Sequence, residues 1–145
     1  MEREVRTFRE LLSGKGLKFT EQRRRVAEMV FSLHTHFTVD DLYERFRRDQ
    51  RISRATIYRT LGLLVESGLV AEWDFGDKVK HYEHVFGHEA HNHLICTVCG
   101  KIEEFGDEDI RRIVEKTAGR RSFKVSKHAL NVYGVCRACS NRKLK

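Results

Sequence analysis

Apolar positions in the first half of the chain recur at helical spacing. Val5, Phe8, Leu11 and Leu12 share one face, and Ser13-Gly14 supplies a glycine stop. Val26, Met29, Val30 and Leu33 line a second helix that Thr20 caps, with Glu21 favourably placed in its first turn. Thr38-Val39-Asp40-Asp41 has the form of a capping box with Asp in the last position, and opens a third, short helix through Leu42, Tyr43 and Phe46. A fourth helix runs from the cap Ser53 to Gly68. It turns Ile57, Leu61 and Leu64 inward and leaves Arg54, Ala55, Thr56, Tyr58 and Arg59 outward near its N-terminal end. The period then changes from helical to alternating. Leu69 to Trp73, the turn Asp74-Phe75-Gly76-Asp77, and Lys78 to Glu83 predict a hairpin.

Helices followed by a two-stranded wing predict a winged helix-turn-helix. The outward face of the fourth helix suits a major groove, because small residues permit close approach while Arg and Tyr reach bases and phosphates. Arg23-Arg24-Arg25 on the second helix reads either as a solvated face or as a phosphate contact. From His84 to Ala90 periodicity is lost, and the stretch reads as a hinge. Beyond it the pattern gives a strand from Leu94, a knuckle at Cys99-Gly100, a returning strand to Phe105, a helix over Asp107 to Lys116, and a third strand over Phe123 to Tyr133. The expected class is therefore α+β. A winged-helix DNA-binding domain over residues 1–84 and a hinge over 85–90 precede a small α/β dimerisation and metal-binding domain over 91–145, with a three-stranded antiparallel sheet and a four-cysteine zinc site. So small a core with an open edge strand invites pairing with a second copy, a homodimer.

The chemistry concentrates between His91 and Phe105, where two histidines, two cysteines and two glutamates fall within fifteen residues. Cys96-Thr97-Val98-Cys99 turns a hairpin at its second cysteine, aiming both thiolates at one point. Cys136-Arg137-Ala138-Cys139 repeats the spacing after 36 intervening residues, and the two pairs use every cysteine of the chain. One structural Zn(II) per subunit on Cys96, Cys99, Cys136 and Cys139 is the expected result. Two disulfides would need an oxidising compartment. Met1-Glu2-Arg3-Glu4 opens without an apolar signal segment, so the expected location is the reducing cytoplasm. A redox Cys-x-x-Cys would come once and beside a βαβ pattern, whereas this one comes twice.

At 145 residues and 40 % hydrophobic content the chain can bury only modest cores, which a metal staple supports. No apolar run approaches about 18 residues, so no membrane partner is expected. The formal net charge of +7 points to a polyanionic partner without locating the binding face. Eight histidines are many for this length, and six lie at or beyond position 81. His91 and His93, at i and i+2 of a strand, present two imidazoles on one face, and Glu104 returns toward them. This nitrogen-oxygen set suits Fe(II) or Mn(II), and Zn(II) less selectively. A metallo-hydrolase reading is disfavoured, because so many ligands leave no open position and no general base stands in a motif. A metal chaperone or store would leave the outward Tyr-Arg face without a use.

Together the winged helix, the string Ser53-Arg54-Ala55-Thr56-Ile57-Tyr58-Arg59-Thr60-Leu61, the string from His91 to Lys101 and the closing Cys-x-x-Cys resemble the ferric uptake regulator family over almost the whole length. The resemblance implies a homodimeric, metal-dependent transcriptional repressor, not an enzyme, that binds double-stranded DNA at AT-rich inverted repeats. It carries the structural zinc onto the four cysteines. The regulatory metal falls on His36, Glu83, His91, His93 and Glu104, with His84 or His81 as alternatives to Glu83 because the hinge is one residue longer. Tyr58 and Arg59 fall in the major groove and Lys18 in the minor groove. An additional site of some members would fall on Ala90, Asn92, Arg111 and His128, and only the last is a good ligand. Peroxide-sensing relatives place Asp at both carboxylate positions, and zinc sensors usually add a cysteine. Glu83, Glu104 and the lack of a spare cysteine therefore favour an Fe(II)-responsive regulator of iron uptake, with peroxide sensing next and manganese or zinc sensing after it. His34 and His88 are expected at the surface without a role.

Overall fold

In the computed structural model, residues 1–88 and 91–142 are described, and they fall into two compact units divided after His88. The first unit holds α1 (Glu2–Gly14), α2 (Glu21–Ser32), α3 (Val39–Arg45), α4 (Arg54–Glu66), β1 (Val70–Asp74) and β2 (Lys80–His84). Three of its four helices start where the polar caps stand. Thr20 Oγ1 accepts from the Arg23 N–H, and Ser53 Oγ accepts from the Thr56 N–H at 3.1 Å. Thr38 and Asp41 exchange both bonds of a capping box. Each cap satisfies backbone donors that the first helical turn leaves without carbonyl partners.

The apolar faces of α1 to α4 meet in one core that includes Phe8, Leu12, Val26, Val30, Leu42, Ile57, Leu61 and Leu64, all fully buried. Each such side chain contributes about 1.5–3 kcal/mol by leaving water. Thr60 also lies in this core, on the inward face of α4, and donates its hydroxyl to the Thr56 carbonyl at 2.8 Å. Helix α4 ends in a left-handed Gly68, with the Leu69 N–H bonded back to the Leu64 carbonyl. Helix α1 ends at Gly14, where the stop was expected, but Gly14 is not its left-handed cap: that residue is Gly16, with the Leu17 N–H on the Leu12 carbonyl.

Strands β1 and β2 pair antiparallel, with Ala71 opposite Glu83 and Trp73 opposite His81. An isolated bridge ties the wing to the helical layer: Phe37 and Tyr82 exchange N–H···O bonds of 3.0 and 2.8 Å. The chain leaves β2 in a turn closed by the His88 N–H on the Val85 carbonyl. The expected hinge over 85–90 overlaps this turn, and its last two positions, Glu89 and Ala90, lie outside the described residues.

The second unit holds β3 (Asn92–Cys96), β4 (Ile102–Phe105), α5 (Glu108–Gly119), β5 (Asn131–Gly134) and α6 (Arg137–Arg142). Its sheet has the order β4-β3-β5 and is mixed, which corrects the all-antiparallel expectation. Strands β3 and β4 form a hairpin and run antiparallel, whereas β5 runs parallel to β3. The cause is the connection: α5 carries the chain across the sheet before β5 begins, and such a crossover delivers a parallel neighbour. The third strand is also shorter than expected. Phe123 to Leu130 makes no ladder, and only Asn131–Gly134 pairs. Helix α6 had no periodic signal to announce it. Among the described residues, no helix is long and apolar enough to cross a membrane.

Candidate metal centres and nucleic-acid face

The four cysteines converge. Cys96 ends β3, the turn after it closes with the Gly100 N–H on the Cys96 carbonyl, and Gly100 takes a left-handed φ of 72°. Cys136 immediately precedes α6 and Cys139 lies in its first turn. All four sulfurs lie within 4.8 Å of one another, with Cys99 Sγ 3.8 Å from Cys136 Sγ. Sulfurs about 2.3 Å from a tetrahedral ion lie about 3.8 Å apart, so the donor set fits zinc.

The local electrostatics point the same way. Backbone N–H groups of Cys136, Cys99 and Val98 donate toward the Cys96 sulfur and hold its thiol down at about 6. The Cys139 thiol is pushed up to about 12 by the protons it shares with the Cys136 and Cys99 thiols, with burial adding to the effect. Cys96 is poised to give up its proton and Cys139 to keep its own, as expected where thiols crowd together. A dication binding there replaces those protons.

Each unit holds some of the expected nitrogen and oxygen donors. In the first unit the Phe37–Tyr82 bridge brings the preceding residue, His36, beside Glu83, with Nε2 to Oε2 at 3.9 Å. Trp73 Nε1 donates to the same Glu83 oxygen at 3.1 Å, and the Phe75 ring stands edge-on to His36 at 5.6 Å. Both His36 and Glu83 have side chains less than a tenth exposed. Of the alternatives to Glu83, His81 is held by Asp77 at 2.6 Å, and that contact lowers the Asp77 pKa. His84 faces the other side of β2, against Phe31.

In the second unit His93 lies opposite Glu104 in the β3–β4 ladder, and His91 Nε2 is 3.8 Å from Glu104 Oε2. The His91 and His93 rings stand edge to face at 5.1 Å. His93 is fully buried, and its Nδ1–H donates to Asn131 Oδ1 of β5 at 3.0 Å. That bond fixes the tautomer that leaves the Nε2 lone pair for a metal.

Trp73 and Asn131 were not foreseen. The hairpin register signals the first, since Trp73 sits diagonally across from Glu83. Nothing local signals the second, because the β3–β5 pairing joins residues 38 positions apart. Of the positions expected for an additional site, Asn92 is buried, Arg111 is bound to Glu108, and His128 is half-buried; Ala90 lies outside the described residues.

The outward face of α4 is as expected at Ala55, Tyr58 and Arg59, with Tyr58 55 % exposed. Thr56 is half-buried, its hydroxyl 3.0 Å from that of Ser53. Arg54 behaves differently: Asp40 holds its guanidinium, which also lies 4.3 Å over the Tyr43 ring. The arginine run on α2 is engaged as well. Arg24 binds Glu21 and Glu28, Arg25 binds Asp49, and Arg23 donates to the carbonyl of the exposed Lys18.

Residues 14–133 match the profile of the ferric uptake regulator family. This chain belongs to the ferric uptake regulator family. It is 38 % identical over 141 residues to the ferric uptake regulation protein of Campylobacter jejuni, covering 95 % of this chain and 89 % of that one. It is 35 % identical over 141 residues to the peroxide operon regulator of Bacillus subtilis, covering 97 % and 96 %. In structure it resembles the Helicobacter pylori ferric uptake regulator, a protein described as having three functional metal binding sites. The TM-score is 0.85 at 25 % identity, over 96 % of this chain and 93 % of that one. As a member of the ferric uptake regulator family the chain is a metal-responsive transcriptional regulator, and its α+β fold is the fold of that family.

Proposed function

We propose that the chain represses iron-uptake genes in response to Fe(II), acting in the cytoplasm as a homodimer on AT-rich inverted-repeat DNA. One ion takes ligands from both units: His36 and Glu83 from the first, His91, His93 and Glu104 from the second. The carrying observation is the placing of imidazoles beside glutamates, His36 with Glu83 and His91 with Glu104. Five nitrogen and oxygen donors without sulfur suit Fe(II) or Mn(II) better than a four-coordinate structural zinc does. When bound, the metal supplies the link that favours one arrangement of the DNA-reading unit over others, by its differential affinity for that arrangement. A structural Zn(II) on Cys96, Cys99, Cys136 and Cys139 holds the second unit together.

Tyr58 and Arg59, with Ala55 and Thr56 permitting close approach, read the major groove, and Lys18 reaches the minor groove. Arg54 belongs to the same surface but is held by Asp40 and Tyr43, which favours a positioning role over base contact. Pairing of two copies is supported by the apolar surface of the second unit. None of α5 is buried, Ile113 is 64 % exposed and Phe123 74 %.

The likeness to the Bacillus subtilis peroxide operon regulator favours a second reading, a peroxide sensor on the same site. Anaerobic fluorescence anisotropy on an AT-rich inverted-repeat duplex separates the two. Fe(II), Mn(II) and Zn(II) are titrated into protein that keeps its structural zinc, and a low dose of hydrogen peroxide follows. Tight Fe(II)-dependent binding that survives peroxide is expected. Loss with Fe(II) but not with Mn(II), together with an oxidised His36 or His91, establishes the sensor instead. A metal response that persists unchanged in a His36→Ala, His91→Ala variant overturns the switch.

A further inference from the structure

Because side chains alternate along β2, Glu83 and His84 face opposite ways. On the face away from Glu83, His84 meets two more histidines of the first unit. Its ring centroid lies 5.0 Å from that of His88, and His88 in turn stacks on His34 at 5.9 Å with planes 19° apart. His84 is only 4 % exposed, yet neither ring nitrogen has a hydrogen-bond partner among the described residues. A buried polar ring in that condition is costly, and proteins keep few of them without a use.

The three rings arrive from different places: His34 follows α2, His84 ends β2, and His88 lies in the turn that the Val85 carbonyl closes. His34 and His88 are exposed, so an ion can reach them from solvent and their rings can turn a nitrogen inward. Neither belongs to the proposed regulatory set.

We propose that His34, His84 and His88 form a separate site on the first unit for a divalent ion that prefers imidazole, Zn(II) above all. Three imidazole nitrogens, with water as a fourth donor, make a set of the kind zinc takes, and they discriminate against Mn(II) and Fe(II) in the order of divalent affinities. An ion there ties the end of α2, the end of β2 and the turn after it together, a constraint that does not involve His36 or Glu83.

The test uses the full chain with its structural zinc in place and the regulatory set disabled by His36→Ala and His91→Ala. Equilibrium dialysis against Zn(II) followed by metal analysis is expected to find a second zinc per chain. Adding His34→Ala and His88→Ala, both at exposed positions, should remove that second zinc and leave the first. Side-chain nitrogen NMR of the His36→Ala, His91→Ala protein should show the His84 resonances shifting with zinc. The site is overturned if that protein holds only its structural zinc, or if the added substitutions leave the second zinc bound. Metal-dependent operator binding by a His34→Ala, His88→Ala protein reports on the proposed function separately.

Discussion

Asn131→Ala isolates one hydrogen bond beneath the proposed regulatory site. In the native chain the Asn131 amide oxygen holds the Nδ1–H of the fully buried His93 at 3.0 Å, aiming the opposite nitrogen outward from the strand. Truncation takes that acceptor away and lets the ring turn and change tautomer. Partners that orient a metal-binding histidine are worth about 10- to 100-fold in affinity, or about 1.4–2.7 kcal/mol. A hydrogen bond to a group gaining charge falls in the same range, about 1.5–3 kcal/mol. The variant should therefore need about 10 to 100 times more Mn(II) or Fe(II) for half-saturation. Asn131→Asp, which keeps an acceptor of similar shape, should bind at least as tightly as the native chain. The single tryptophan, Trp73, donates to Glu83, so its emission reports the titration without a label. Zinc content serves as the control for an intact cysteine site. If the alanine variant retains its zinc and its midpoint stays within about twofold of the native value, where a loss of about 10- to 100-fold is expected, His93 is not an oriented ligand and the reasoning fails.

Other expectations follow from single contacts. Leu61→Ala, at a fully buried position of α4, should cost about 2–5 kcal/mol in denaturant unfolding. Thr38→Ala removes the capping box of α3 and should cost about 1 kcal/mol by the same measurement. Gly100→Ala puts a side chain on a backbone at φ 72°, costs about 1–2 kcal/mol, and should speed zinc loss to a chelator; unchanged release would show that the knuckle tolerates another conformation. Arg59→Ala should weaken operator binding and reduce its salt dependence by about one ion. Arg54→Ala should leave the salt slope unchanged, since Asp40 already balances that charge.

Where a feature depends on neighbours in the chain, the sequence announced it. Thr20, Thr38 and Ser53 are caps because hydroxyls reach backbone donors only two or three residues away, and Ile57, Leu61 and Leu64 share a face by helical geometry alone. The Cys-x-x-Cys pairs are legible for the same reason. The parallel pairing of β5 is not, because it depends on which sheet edge the chain meets after α5, and a short apolar strand does not record that choice. Helix α6 has only six residues, too few for a period to show. His36 beside Glu83 came from the family resemblance and not from pattern, since the bridge that joins them spans 45 positions, from Phe37 to Tyr82. Trp73, Asn131 and the His34–His88–His84 row share this origin: they are contacts of register and tertiary packing, and polar side chains leave no periodic trace.

The Phe37–Tyr82 bridge also governs how this regulator can diversify. Its two backbone hydrogen bonds hold the loop carrying His36 and the strand carrying Glu83 as one piece, whatever side chains stand there. Tyr58 and Arg59 stand on α4, an element to which neither of those two proposed ligands belongs. On the proposed assignment, substitution at position 83 can change which metal is preferred without redrawing the proposed DNA-facing surface, and substitution on α4 can change the operator without retuning the sensor. A fold with this separation lets one scaffold serve many metals and many promoters, each altered by a few residues at a time.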